Sequence, residues 1–164
     1  AYGLTGGIIS AVDLLKGVGR VLGFEVAEVP GATGYYDTNY EGKAEAALEI
    51  LERNDLVFLH VEAPDEAAHP GPVAAKIETI QRIDREMVGH FRAWKQGELR
   101  LLVLPDHPTP LTTRTHSDDP VPFMLWGSGI DANGAKRFTE AEAGKTSLLV
   151  DPGYNIIKLL IGRI

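Results

Sequence analysis

The sequence predicts a layered α/β fold with a mostly parallel sheet, and three observations predict it. Short, nearly continuous apolar runs at Leu56–His60, Leu99–Leu104 and Val121–Trp126 are what strands covered on both faces require. Segments of helical periodicity alternate with those runs, the pattern of strands joined by crossover helices. At 164 residues, 44% hydrophobic and 24% charged, the chain has the size and balance of one globular domain with a real core. Residues 1–164 are therefore expected to form a single domain.

The elements follow in order. Ser10-Ala-Val-Asp13 has capping-box spacing and leads into a helix with apolar Val12, Leu15, Val18 and Leu22, interrupted by Gly17 and Gly19 and ended by Gly23. Phe24 to Val29 is a short strand closed by Pro30-Gly31. After the polar loop GATGYYD, Thr38-Asn-Tyr-Glu41 is a second capping box, opening an alanine-rich helix that runs to about Arg53. The strand Leu56–His60 comes next, then a loop, then the longest helix, from about Pro72 to Lys95, with a stripe of Val73, Ile77, Ile80, Met87 and Phe91. Strands at Leu99–Leu104 and Val121–Trp126 precede the turn Gly127-Ser-Gly129. Thr139 to Gly144 is expected as a short helix, and Asp151-Pro152 as the cap of a last helix through Leu160.

Composition narrows the function. A net charge of −7 argues against a nucleic-acid partner, and no apolar run approaches the length of a membrane span. With no signal-like segment, the cytoplasm is the expected compartment. The absence of cysteine leaves only nitrogen and oxygen as ligands for any metal. The chain opens Ala1-Tyr-Gly-Leu-Thr-Gly-Gly7, without an initiating Met, and reads as though it begins inside something longer.

Ligands of open parallel sheets gather beyond the carboxyl ends of the strands, and that rule makes neighbours of three separate motifs. Strand Leu56–His60 leads to Asp65 and His69, strand Leu99–Leu104 leads to Asp106 and His107, and His116 precedes the strand near Val121. His60 ends its strand at the same edge, whereas His90 reads as an ordinary residue of an amphipathic helix. Asp65 and His69 are close enough to share one ion, and Pro70 disfavours helical geometry at His69, so the pair is expected in a rigid loop. Adjacent Asp106 and His107 would point apart on an extended backbone, although a turn at Pro105 and Pro108 would bring both to one centre. Nitrogen with carboxylate oxygen suits manganese, zinc or iron better than calcium. Asp84 falls on the apolar stripe, where a bare carboxylate is costly, so it is expected to hydrogen-bond the metal loop from behind.

The stretches HVEAPDEAAHPG, DHPTPLTTRTHSDDPVPF, AVDLLKGVGRVLGFEV and GATGYYDTNYEGKAEAALEIL closely resemble the cofactor-independent phosphoglycerate mutases of archaeal type, in the alkaline phosphatase superfamily. The resemblance runs nearly end to end but covers only the carboxyl-terminal part of that family's chain. It implies an α/β/α sandwich, incomplete at its amino-terminal side. It also implies two divalent ions, commonly manganese, with zinc, cobalt or magnesium as alternatives, and no 2,3-bisphosphoglycerate primer. Position by position, Asp65, His69 and His116 match the ligands of one ion, and Asp106 and His107 match ligands of the other. The nucleophilic serine, a further aspartate ligand and the cap arginines of the family have no counterpart here, so this piece alone is expected to be inactive. In the family the serine takes the phosphoryl group from 3-phosphoglycerate, and the other hydroxyl of the turned glycerate takes it back. Lys16 is a candidate phosphate contact, and so is Arg114, for which pairing with Asp118 or Asp119 is the competing role. A phosphopentomutase, a phosphomonoester hydrolase of the same superfamily, or a metal-binding module without chemistry are the alternative readings. An exposed sheet edge would favour self-association of the piece.

Overall fold

The computed structural model describes residues 2–70 and 72–162. The chain forms two compact units: one runs to Ala93 and includes Thr109–Thr115, and the other comprises Trp94–Pro108 and the residues from His116 onward.

The first unit is built on a strand that the sequence pattern did not reveal. β1 (Gly6–Ile9) is flanked in parallel by β2 (Glu25–Val26) and β3 (Leu56–Leu59), in the order β2-β1-β3. Gly7 lies opposite Glu25 on one side and Val57 on the other. Paired glycines read as a turn, yet here they permit close approach of covering groups. A Cβ on Gly7 would lie 2.6 Å from Cγ2 of Ile50, and one on Gly6 would lie 3.0 Å from the Phe24 ring. Ile50 belongs to α2 (Tyr40–Leu51), so the Gly7 face of the strand is covered by that helix. The alternate face carries Ile8, against which Gly19 of α1 (Asp13–Val21) is pressed. Two helices on opposite faces of a parallel sheet give the α/β/α layering that was expected.

Local details depart from the expected ones for identifiable reasons. Ser10 does not cap α1; its Oγ accepts the Val12 amide at 3.0 Å, a local turn that wins over the capping box. The buried position of α1 is Gly19, and Val18 and Leu22 of the expected apolar stripe are exposed. The helix ends in a Schellman motif, with Gly23 at φ +74° and Phe24 N–H donating to Gly19 C=O at 2.9 Å. Asn39, not Thr38, caps α2, its side chain accepting from Gly42 N–H at 2.9 Å. Thr38 is buried and accepts from Thr33 N–H. Phe58 is half exposed where burial on both faces was expected, because α1, which covers that face, packs on β1 and β2.

The expected loop after β3 contains a short helix, α3 (Ala63–Ala68), with Pro64 in its first turn. α4 (Val73–Ile83) continues through a π turn at Asp84–Val88 into α5 (Gly89–Arg92). The extra residue of a π turn rotates everything downstream about the helix axis, so one stripe cannot serve both ends. Met87 and Phe91 are buried as expected, but Val73, Ile77 and Ile80 are exposed. Asp84 is exposed at the start of the π turn. The burial cost that motivated a supporting role for its carboxylate is therefore not incurred, and that expectation is withdrawn.

In the second unit, β4 (Arg100–Val103) pairs with β5 (Met124–Gly127) in antiparallel sense, Leu101 opposite Trp126. The stretch from 104 to 123 forms turns and extended chain instead of a crossover helix, which removes the usual route to a parallel pair. The short helix expected from Thr139 to Gly144 is α6 (Glu140–Ala143), capped by Thr139. The last helix starts as a 3-10 turn at Gly153–Asn155 and becomes α7 (Ile156–Leu160), without a side-chain cap from Asp151.

Candidate metal-binding elements

In the first unit, Asp65 and His69 lie one helical turn apart. Asp65 is in α3, and His69 is its C-cap residue with right-handed helical φ and ψ (−64°, −51°). The pre-proline restriction at His69 is a preference, and here it is overridden by three bonds. His69 N–H donates to Asp65 C=O at 3.3 Å, Nε2 lies 3.1 Å from Asp65 Oδ2, and Nδ1 lies 3.0 Å from Arg114 C=O. A spacing of four residues on a helix puts both side chains on one face, which an extended loop would not do.

The Arg114 carbonyl defines which imidazole nitrogen faces Asp65. With Nδ1–H donating to a backbone carbonyl, Nε2 donates to Asp65 when the ring is protonated and would present its lone pair once that proton leaves, the arrangement that metal-ligating histidines use. Arg114 has φ +55°, a left-handed conformation that costs a non-glycine residue about 1 kcal/mol. Its carbonyl, more than its side chain, is what this residue contributes to the element. The hydrogen bond to that carbonyl first, and then the Asp65 charge, hold the His69 pKa above the usual histidine value.

Asp65 is fixed at its other oxygen as well. The Thr109 hydroxyl donates to Oδ1, and Thr109 is itself buried, with its carbonyl accepting from Lys76 Nζ at 2.7 Å. Sequence reading passed over Thr109, because a threonine in a proline-rich loop looks like any turn residue. Its only signal was its position, two residues beyond His107.

At the carboxyl ends of β1 and β3 lies a second, largely buried polar group. His60 Nδ1 is 3.2 Å from Glu62 Oε1 and 3.5 Å from Ser10 Oγ. Lys43 is fully buried and lies 3.7 Å from Glu62 Oε2. Burial pushes the Lys43 pKa down against the pull of Glu62. Burial also raises that of Glu62, but the His60 bond, a backbone amide and Lys43 outweigh it and hold the carboxyl below its usual range. Lys16, proposed to touch phosphate, forms an ion pair with Glu28 at 2.8 Å. His90 lies 3.5 Å from Glu41, in keeping with an ordinary helix-surface residue.

In the second unit, the His107 and His116 rings stack at 3.7 Å between centroids, with 28° between their planes. Asp106 Oδ2 is 3.6 Å from His107 Nε2. Asp119 accepts from Ser117 Oγ at 2.8 Å.

Such nitrogen and carboxylate donors on short, braced segments define a class, and the comparison of sequences agrees. The model of the Metalloenzyme superfamily matches residues 1–159, and the chain belongs to that superfamily. Within it, the chain is 52% identical over 163 residues to the 2,3-bisphosphoglycerate-independent phosphoglycerate mutase of Methanothrix thermoacetophila, covering 98% of this chain and 42% of the relative. Two solved structures are similar. A Pyrococcus horikoshii protein, PH0037, superposes with TM-score 0.86 at 35% identity, over 98% of this chain and 48% of that one. The cofactor-independent phosphoglycerate mutase of Thermoplasma acidophilum superposes with TM-score 0.73 at 26% identity, over 97% and 36% respectively. The chain thus spans about two-fifths of the length of the curated relatives it matches.

Proposed function

We propose that this chain is the ligand-bearing part of a metal-dependent, 2,3-bisphosphoglycerate-independent phosphoglycerate mutase, the whole enzyme interconverting 3-phosphoglycerate and 2-phosphoglycerate. The observation that carries the reading is the similarity to such mutases over nearly the entire chain, at 52% identity in one case. Asp65, His69 and His116 are assigned to one divalent ion, and Asp106 and His107 to the other. The donor set fits manganese, zinc or cobalt, since it offers imidazole and carboxylate without thiolate. The ligand atoms of Asp65 and His69, 3.1 Å apart, have the separation of neighbours around one small cation. The rings of His107 and His116, assigned to different ions, stack at 3.7 Å between centroids.

A divalent ion on these ligands would neutralise phosphoryl oxygens and favour the anionic form of a bound hydroxyl. The chain's own contribution is to orient. Arg114 C=O fixes the His69 ring, and the Thr109 hydroxyl fixes the Asp65 carboxylate. Lys16 and the Arg114 side chain remain candidate phosphate contacts, Lys16 only after leaving Glu28.

The test is a chimera in which the matching segment of the Methanothrix relative is replaced by these 164 residues. With manganese, it is expected to convert 3-phosphoglycerate to 2-phosphoglycerate in an enolase-coupled assay, and to lose that activity on His69→Ala. The 164-residue chain alone is expected to bind Mn2+ and to be inactive. A folded, metal-loaded chimera that fails on 3-phosphoglycerate would refute the assignment.

A further inference from the structure

We infer that Lys43 is a positioning residue for the ligand-bearing helix α3, acting through Glu62 and through the carbonyls at the end of β3 and in the loop before α2. The inference rests on the metal reading of Asp65 and His69. Its starting point is an ammonium that is fully buried on an alanine-rich helix, flanked by Ala44 and Ala47, both also fully buried. A methionine would fill that volume without the cost of desolvating a charge. What it would not do is make the contacts that Lys43 makes.

Nζ lies 3.4 Å from Thr33 C=O, 3.4 Å from His60 C=O and 3.7 Å from Glu62 Oε2. An ammonium has three N–H donors, and these acceptors come from three different segments. Thr33 belongs to the GATG loop, His60 closes β3, and Glu62 is the residue from which α3 starts. Glu62 Oε2 is buried without a hydrogen bond, so the Lys43 charge is what faces it. The Glu62 carbonyl accepts the amides of Asp65 at 2.9 Å and Glu66 at 3.1 Å, which is the first turn of α3. Holding Glu62 therefore holds Asp65. Loss of a group bonded directly to a metal ligand weakens binding about 10- to 100-fold in other sites, and Lys43, one step further away, is expected at the lower end of that range.

Lys43→Met alone leaves the Glu62 carboxylate buried without its cation, so loss of folding in that variant would be ambiguous. The informative variant is Lys43→Met with Glu62→Gln, which removes both charges and keeps a side chain able to bond Ser10 and His60. Free Mn2+ is titrated by electron paramagnetic resonance against the 164-residue chain and this double variant, and amide exchange is followed in both. The double variant is expected to fold, to bind Mn2+ about 10-fold or more weakly, and to exchange the Asp65 and Glu66 amides faster while β1 is unchanged. Folding with Mn2+ affinity within about twofold of the parent would overturn the inference and leave the metal reading intact. Failure of the double variant to fold would also overturn it, because the pair would then be a requirement of the fold. If the parent chain itself bound no Mn2+, the metal reading would fall and this inference with it.

Discussion

Thr109→Val isolates the bracing of Asp65. Valine has nearly the shape of threonine and lacks only the hydroxyl that donates to Asp65 Oδ1. Thr109 is 5% exposed, so water does not readily replace the lost donor at that oxygen. A hydrogen bond to a charged acceptor contributes about 1.5–3 kcal/mol. The Asp65 side chain is 29% exposed, and partial solvation lowers the expected loss toward the bottom of that range, about 1–2 kcal/mol. The backbone of Thr109 still receives Lys76, so the loop itself is expected to stay in place. Two measurements follow on the apo chain and in a Mn2+ titration. Urea unfolding should show a lower midpoint with an unchanged slope, and Mn2+ affinity should fall about 10-fold because the carboxylate is free to rotate. A variant with parental stability and parental affinity would show that this hydroxyl does not orient Asp65, and the reasoning about the braced pair would fail with it.

Other outcomes test the fold and the titration of the pair. Gly17 and Gly19 lie two residues apart in α1, but a Cβ on Gly17 would meet nothing within 4 Å, while one on Gly19 would lie 2.4 Å from Ile8 Cγ2. Gly17→Ala should therefore stabilise by about 0.5–1 kcal/mol, and Gly19→Ala should destabilise by about 1–2 kcal/mol in the same urea assay. Equal signs would contradict the packing of α1 on β1. The His69 pKa is raised, first by the Arg114 carbonyl and then by Asp65, so its protonated form stabilises the metal-free fold at low pH. That contribution is complete below the unfolded value of about 6.5 and is lost as pH rises through the higher folded value. Mn2+ competes for the same ring, so its affinity should climb between about pH 5 and 8, more steeply than in His69→Ala. A pH-independent affinity in the parent would count against His69 as a ligand.

The outer elements of the fold were legible because their patterns are local. The apolar runs at Leu56–His60 and Leu99–Leu104, and the alanine-rich helix after Asn39, all appear where periodicity put them. β1 was not legible, since its two leading glycines are the opposite of what strand propensity favours. They are explained only by Ile50 and Phe24, residues distant in sequence whose side chains occupy the space a Cβ would need. The broken stripe of the long helix has the same origin. A π turn at Asp84–Val88 changes the phase between Ile80 and Met87, and a regular 3.6-residue template has no place for it.

The chemistry of the candidate site was legible by residue type, but the means of holding it was not. Asp65, His69, His107 and His116 announce themselves because their loops follow or precede apolar strands at what should be one edge of the sheet. Their supports are a hydroxyl, Thr109, and a main-chain carbonyl, that of Arg114. A carbonyl belongs to every residue, so no pattern of side chains can mark the one that matters. Arg114 attracted notice for its guanidinium, whereas the structure uses its backbone, set at φ +55°. The same distinction explains the helix at α3. The pre-proline restriction at His69 is the preference of a single residue, and it yields where several bonds require the other conformation. His69 has one such bond to Asp65 through its amide, one through Nε2 and a third to Arg114 through Nδ1, and together they keep the last turn of α3 closed. If that closure is what aligns the pair, a proline-free variant, Pro70→Ala, should relax the helix end without loss of Mn2+ affinity, whereas Arg114→Gly should leave affinity intact only if glycine holds the same left-handed backbone. Weakened binding in Pro70→Ala, measured by the same titration, would show that the proline, and not the three bonds, sets the geometry.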